Sequence, residues 1–343
     1  MKLLVITQRV DKSDTNLGFF HRWLEEFSHH CSKIIIISNS VGTVSLPSNI
    51  ELYSLGKESG SSRIKRLWKY WELFSRHYAL ADAVFFHMIP ECVILSAPFL
   101  LSLRRNSVLW YVHKSVTKRL KVAERLVDFV ASASELSFRY PSKKVIYTGH
   151  AIDIDNFVPD LKHQFSKPGL QIISVGRVSP VKDLETIVKA CEVLKNTWTR
   201  TWYFTIVGGP LMKRDEDYLN SLRKMVKERG LENYVFFQGA RPYGEIPFLY
   251  REHDMFISMS TTGSIDKVVL EAMASGLTVI TANEAFKSLL PARYFLSTRS
   301  PEFLAERIKM LADENRPNMT LRNLVVRHHS LKETIRKILE IVK

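Results

Sequence analysis

The 343-residue chain is short of cysteine, short of acid relative to base, and without a long unbroken apolar run. Its only cysteines are Cys31, Cys92 and Cys191, and no two form a CxxC pair. So sparse and odd a set excludes a disulfide framework and a cysteine-rich zinc site, and it suits a reducing compartment. The longest apolar stretch, 83–103, is interrupted by His87, Pro90, Glu91 and Pro98. It reads as a strand followed by a helix rather than a membrane span. The opening run 1–7 is too short for a signal peptide and leads straight into Gln8, Arg9, Asp11 and Lys12, so a first buried strand is expected there. These absences point to a soluble, cytoplasmic protein that could still sit on the inner face of a membrane. Acid is outnumbered: 35 Asp and Glu stand against 49 Lys and Arg, a net charge of +14. That balance calls for an anionic partner, whether nucleic acid, an acidic membrane or a phosphorylated ligand.

What is present is an ordinary globular composition, 45% hydrophobic and 24% charged, which excludes disordered, collagen-like and coiled-coil chains. Short β-branched or aromatic runs alternate with amphipathic stretches along the whole length. Strands are expected at 3–7, 33–38, 50–54, 82–87, 107–112, 127–131 and 144–148. Helices are expected between them near 17–30, 62–79, 90–103, 117–126 and 133–139. After a softer stretch at 156–169 with Pro159 and Pro168, the alternation restarts. Strands are then expected at 170–175, 202–207, 234–238, 254–258, 277–281 and 294–297. Helices follow near 183–195, 215–229, 244–252, 264–275 and 301–313, with two more beyond. Alternation of this kind implies parallel sheets covered by helices on both faces. Three parts are expected: residues 1–155, residues 156–325, and a closing helix at 326–343 that packs back toward the first domain.

Two stretches carry chemistry. In Ser174-Val175-Gly176-Arg177-Val178-Ser179-Pro180-Val181-Lys182-Asp183 a strand ends at Gly176 and a helix begins at Asp183, a good N-cap. Arg177 and Lys182 therefore share one strand-to-helix loop at the carboxyl edge of a sheet, where such folds bind ligands. Two cations beside backbone amides make a diphosphate clamp, Arg bidentate and Lys a point charge. A solvated loop with two surface bases is the plainer alternative. In Ser260-Thr261-Thr262-Gly263-Ser264-Ile265-Asp266-Lys267 a small-residue turn leads into a helix that ends at Gly276. The turn offers amides and the positive end of a helix dipole to an anion. Glu271 lies on the apolar face of that helix, and a buried carboxylate needs a partner such as ribose hydroxyls or a neighbouring base.

Taken with Ile206-Val207-Gly208-Gly209-Pro210, Val235-Phe236-Phe237-Gln238-Gly239 and Leu270-Glu271-Ala272-Met273-Ala274-Ser275-Gly276, these stretches resemble the retaining glycosyltransferases of family four. The resemblance covers most of the chain and is strongest in its second half. It implies an α/β chain of two Rossmann-like doubly wound domains facing across a cleft, the GT-B architecture. The first domain would bind the acceptor and the second a nucleotide-diphosphate sugar. Gly176, Arg177 and Lys182 would hold the phosphates, Glu271 the ribose, and the backbone from Gly239 to Arg241 the base. Gly263, Ser264, Ile265, Asp266 and Lys267 would line the sugar and phosphate side. His113, at the end of the strand Val108-Leu109-Trp110-Tyr111-Val112, maps onto the family's histidine beside the donor sugar. His87 and Gly18 would lie on the acceptor side, with the loop 11–18 holding acceptor or phosphate groups. The segment Gly149-His150-Ala151-Ile152-Asp153 matches the family's interdomain stretch. One departure stands out: the family's first glutamate falls at Gly263. Asp266 is expected to take over a hydroxyl contact and Lys267 to add phosphate charge.

The spacings Asp153-x-Asp155 and Asp215-x-Asp217 imitate metal-binding carboxylate pairs. The second pair crowds a helix start, where acids favour the dipole. No cofactor and no metal are expected, the cations doing that work. Residues 1–150 hold 21 Lys and Arg against 12 Asp and Glu. Their basic and aromatic stretch Arg63, Lys65, Arg66, Trp68, Lys69, Trp71 and Arg76 fits an anionic lipid surface, or a solvated helix packing its Trp inward. The expected function is transfer of a sugar from a nucleotide-diphosphate donor to a hydroxyl of a glycan, glycolipid or polysaccharide precursor. A non-catalytic nucleotide-sugar-binding protein and a sugar-nucleotide epimerase are the alternatives. Nucleic acid is not an expected partner, since no stacking platform or binding module accompanies the bases.

Overall fold

The computed structural model describes residues 1–161, 169–314 and 316–343; the expected linker at 156–169 thus lies partly outside the described residues. The chain divides into two compact units. The first comprises Met1–Ala151, Pro242–Gly244 and His329–Lys343, and the second Ile152–Arg241 and Glu245–His328.

The first unit contains β1 (Lys2–Val10), α1 (Phe19–His30), β2 (Lys33–Val41), β3 (Ile50–Ser54), α2 (Arg63–Tyr78), β4 (Ala83–His87), α3 (Pro90–Leu95), α4 (Ala97–Ser102), β5 (Asn106–Trp110), α5 (Lys118–Leu126), β6 (Phe129–Ser132) and β7 (Val145–Tyr147). Its sheet runs in the order β3-β2-β1-β4-β5-β6-β7, with every pairing parallel. The strand sequences are apolar at successive positions because both faces are covered. Leu3 and Val5 turn to one face, against Phe20, Trp23 and Phe27 of α1. Leu4 and Ile6 turn to the other, against Tyr70, Leu73 and Phe74 of α2. Ser62 and Thr117 cap α2 and α5 by accepting from the amides of Lys65 and Leu120.

The second unit contains β8 (Leu170–Val175), α6 (Leu184–Thr197), β9 (Trp202–Val207), α7 (Lys213–Glu228), β10 (Val235–Gly239), α8 (Ile246–Arg251), β11 (Met255–Ser258), α9 (Lys267–Ala274), β12 (Thr278–Thr281), α10 (Pro301–Leu311) and α11 (Met319–His328). Its sheet runs β10-β9-β8-β11-β12, again all parallel. Strand order reverses between β8 and β11, the point where such sheets open a ligand crevice beyond their carboxyl ends. A last helix, α12 (Leu331–Val342), belongs to the first unit and sets Leu331, Ile335, Ile338 and Leu339 into the core beside α1.

Three expectations change. The single helix over 90–103 is two short ones meeting at Ser96, because Pro98 lacks an amide and its ring clashes with a continuing helix. The helix expected over 133–139 shrinks to one 3-10 turn at Glu135–Ser137, in a serine-rich stretch whose side chains compete with helical bonds and which runs into Pro141. The strand expected at 294–297 is reduced to a single bridge between Thr281 and Phe295, since the 3-10 turn Ala292–Tyr294 occupies its start.

Candidate functional site

The site grows from the end of β8. Its backbone leaves the sheet at Gly176 with φ +138°, and Gly208, leaving β9 with φ +146°, presses against it. A Cβ on Gly208 would stand 1.8 Å from the Gly176 carbonyl oxygen, so only glycine lets the two loops touch. The loop after β8 passes through a 3-10 turn at Pro180–Lys182 into α6, whose cap Asp183 accepts from Thr186 Oγ1 at 2.9 Å. This brings Arg177 and Lys182 to the same opening, a small pocket lined also by Ser174, Leu184, Ile206 and Ser258.

Each cation has an acid nearby. Arg177 Nε donates to Ser179 Oγ at 3.3 Å and lies 4.0 Å from Asp215 Oδ2. Asp215 is buried at the start of α7, where it accepts from the amides of Leu211 and Met212. It faces inward while Asp217 faces solvent, so the Asp215-x-Asp217 spacing does not converge on one point. In the same way Asp153 is buried and Asp155 exposed. Lys182 Nζ lies 3.4 Å from Ser260 Oγ and 3.1 Å from Asp266 Oδ1.

The turn 260–266 is strapped from several sides. The Thr261 amide donates to the Val181 carbonyl at 2.8 Å, which joins this turn to the Lys182 loop. Arg299 donates to the carbonyls of Met259, Ser260 and Ala282. Asn283, buried just past β12, donates to Thr262 Oγ1, the Ser264 carbonyl and Asp266 Oδ2. Gly263 takes φ +66°, a left-handed conformation that resists side chains, at the position where the resembled family carries a glutamate. Ile265 is buried beneath the turn. Neither Asn283 nor Arg299 stands out in the sequence. The one signal for Asn283 is its place two residues beyond the carboxyl end of β12, at the edge where such sheets bind ligands.

Along α9, Val269 to Ala274 are all buried, and Glu271 among them is only 2% exposed. Lys267, one turn earlier, places Nζ 3.3 Å from Glu271 Oε1. Burial lowers the Lys267 ammonium from 10.5 to about 8, against the opposing pull of Glu271 and Asp153. The phosphate charge expected from Lys267 is thus turned toward Glu271, and Asp266, expected at a sugar hydroxyl, is turned toward Lys182. Glu271 itself sits with a base rather than with solvent. Gly239 ends β10 with φ +71°, and Arg241 beyond it is half-exposed, 3.6 Å from Glu245.

In the first unit, His113 is exposed just beyond β5, and its Nδ1 accepts from the Ser115 amide at 3.0 Å. In the neutral ring the proton is then on Nε2, so the outward nitrogen is a donor. His87 does not reach a surface. It is 1% exposed, stacked on Phe20 at 3.9 Å and bonded through Nδ1 to Thr7 Oγ1. Its ring completes the aromatic cluster under α1, which corrects the expectation of an acceptor contact. Gly18 precedes α1, and a Cβ there would stand 2.5 Å from the Asp14 carbonyl oxygen, so loop packing alone requires glycine. Asp11 organises that loop by accepting from Arg9, from Ser13 and from the Thr43 amide. The basic helix α2 splits its aromatics: Trp71 is half-buried and donates to the Leu95 carbonyl, while Trp68 and Ile64 are 67% and 69% exposed. Among the described residues no helix is long and apolar enough to cross a membrane.

Residues 160–323 match the family described as glycosyl transferases group 1. Mannosylfructose-phosphate synthase of Agrobacterium fabrum is 30% identical over 139 residues, 40% of this chain and 31% of that protein. The GDP-mannose-dependent alpha-(1-6)-phosphatidylinositol monomannoside mannosyltransferase of Mycobacterium tuberculosis is 27% identical over 191 residues, 50% of this chain and 47% of that one. The matches span about a third to a half of those relatives' lengths. Among solved structures, Anabaena HepE in complex with UDP and glucose superposes with a TM-score of 0.76 at 17% identity, covering 99% of this chain and 98% of that one. Sucrose-phosphate synthase of Thermosynechococcus elongatus gives 0.76 at 14% identity, with 99% and 98% covered. At these identities the likeness shows the fold, two Rossmann-like domains of the GT-B kind.

Proposed function

We propose, for a chain that belongs through residues 160–323 to the group 1 glycosyl transferases, that it transfers a sugar from a nucleotide-diphosphate donor to a hydroxyl acceptor with retained anomeric configuration. The observation that carries this reading is the placement of Arg177 and Lys182 at one opening beyond β8, at the reversal of strand order. Two cations there meet the chemistry of a departing diphosphate, whose negative charge grows as the glycosidic bond breaks. Arg177 presents a planar fork for two phosphate oxygens, and Lys182 a point charge. Charge supplied this way does a metal's work, so the reaction is proposed to proceed without one. The incoming hydroxyl is guided by the leaving phosphate, and no protein nucleophile is assigned. The base and sugar are chosen from what relatives use: UDP and glucose stand in HepE, and GDP-mannose serves the mycobacterial mannosyltransferase.

The acceptor is proposed to be a glycan, a glycolipid or a polysaccharide precursor. The test is turnover of UDP-glucose and GDP-mannose, with products resolved by NMR. Arg177→Ala and Lys182→Ala are each expected to lower turnover about 100- to 1000-fold while the fold persists. Near-normal turnover in both would sink the assignment. Gly263, where the resembled family has a glutamate, favours a second reading as a binding protein without transfer. Tight nucleotide-sugar binding with no product from any acceptor would support that reading instead.

A further inference from the structure

Asp266 stands immediately before the first residue of α9, where an aspartate ordinarily accepts from the amides of the first turn. It makes no such bond. Its Oδ1 instead accepts from Lys182 Nζ at 3.1 Å and from Thr262 Oγ1 at 3.2 Å, and its Oδ2 accepts from Asn283 Nδ2 at 3.2 Å. The orientation of Asn283 is itself fixed. Its Oδ1 accepts from the Ala285 amide at 3.1 Å, which leaves the NH2 group facing Thr262 Oγ1, the Ser264 carbonyl and Asp266. A flipped amide would set oxygen against a carbonyl and a carboxylate. A local capping preference has been overruled by tertiary contacts, and those contacts aim a carboxylate at an ammonium.

We propose that Asp266 is the resident counter-ion of Lys182, positioned by Asn283, and that it weakens the grip on the nucleoside diphosphate rather than recognising the sugar. The proposal rests on the reading of Arg177 and Lys182 as a diphosphate clamp. The pair neutralises a cation whose side chain is only 19% exposed, with Asp266 at 11%. When a diphosphate arrives it must take Lys182 from Asp266, and the carboxylate then lies close to the phosphate charge and repels it. Affinity for substrate and product falls together, and the product leaves faster. Asp266 and Asn283 are thus positioning residues, acting through Lys182.

The test is calorimetric titration of UDP, GDP and ADP into the wild type, Lys182→Ala, Asp266→Asn, Asn283→Ala and the Asp266→Asn/Asn283→Ala double variant. For whichever nucleotide binds, Asp266→Asn is expected to bind about tenfold tighter, as loss of one nearby like charge implies. Asn283→Ala is expected to shift affinity in the same direction, with no further gain in the double variant. A contact that served only folding would not raise affinity on removal. Unchanged or weaker nucleotide binding in Asp266→Asn overturns the counter-ion role; the same titration run with UDP-glucose and GDP-mannose, if it alone weakens in Asp266→Asn, overturns it in favour of a sugar hydroxyl. If Asn283→Ala fails to fold, the isosteric Asp266→Asn still decides. Lys182→Ala with wild-type affinity, or a wild type that binds none of the three, overturns the clamp reading itself.

Discussion

Replacing Glu271 by Gln tests the buried pair on α9. Glu271 is 2% exposed, and its partner Lys267, with Nζ 3.3 Å away, has a side chain 15% exposed. Removing one member of a buried ion pair typically costs about 3–5 kcal/mol, because the other charge is left uncompensated. Lys267 has a cheaper course. Its ammonium already titrates near 8 instead of 10.5, so between those values the folded state holds fewer protons than the unfolded chain and stability rises with pH. At about pH 7, releasing that proton costs on the order of 1 kcal/mol. This is the ceiling on the electrostatic loss in Glu271→Gln, and it disappears once the solution is at about pH 8.5. Asp153 still attracts the ammonium in the variant and lowers the loss further. Urea denaturation at about pH 7 and about pH 8.5 checks this. The expected gap between wild type and variant is about 1 kcal/mol at the lower pH and near zero at the higher. A gap of about 3 kcal/mol or more, equal at both pH values, would show that Lys267 stays charged and would refute the reasoning.

Two other predictions concern the first unit. Burial alone would raise the Asp11 carboxyl, but bonds from Arg9 and Ser13 outweigh it and bring it down from 3.8 to about 2. A depressed acid stabilises the fold above its unfolded value, so a contribution of about 2 kcal/mol is present above about pH 4 and lost toward pH 2. Acid unfolding of Asp11→Asn should lack this part of the slope, and an identical acid limb in both proteins would refute it. The exposed Ile64 and Trp68, flanked by Arg63, Lys65 and Lys69, should carry the protein onto phosphatidylglycerol vesicles at low ionic strength and release it in high salt. Trp68→Glu should abolish sedimentation, and a wild type that never sediments removes the lipid surface as a partner.

The sheets were legible in the sequence because a parallel strand covered on both faces carries its apolar residues consecutively, as in Lys33-Ile34-Ile35-Ile36-Ile37, and helices interrupt at regular spacing. Arg177 and Lys182 were legible for the same reason: once β8 is recognised, the loop that leaves it must lie at the carboxyl edge. His87 was not, since a histidine ending a strand looks the same whether its ring meets solvent or, as here, Phe20 and Trp23. Asp266 was legible only in its place at the start of a helix. That is a local fact, whereas its partners Lys182 and Asn283 are 84 and 17 residues away. Asn283 in particular has no signature of its own type, because its importance arises only where the turns after β11 and β12 meet.

The position of α12 bears on how the chain comes to be folded at all. Leu331, Ile335, Ile338, Leu339 and Val342 share a core with Leu3, Val5, Phe20 and Trp23, yet the whole second unit lies between them in the chain. During synthesis the first unit therefore emerges with one flank of its sheet uncovered, and it stays so until all of the second unit has left the ribosome. The second unit, contiguous except for the three residues Pro242–Gly244, has no such wait. Closing so long a loop adds little to the equilibrium cost but delays the contact. In the interval Trp23 and Phe27 lack the cover of α12.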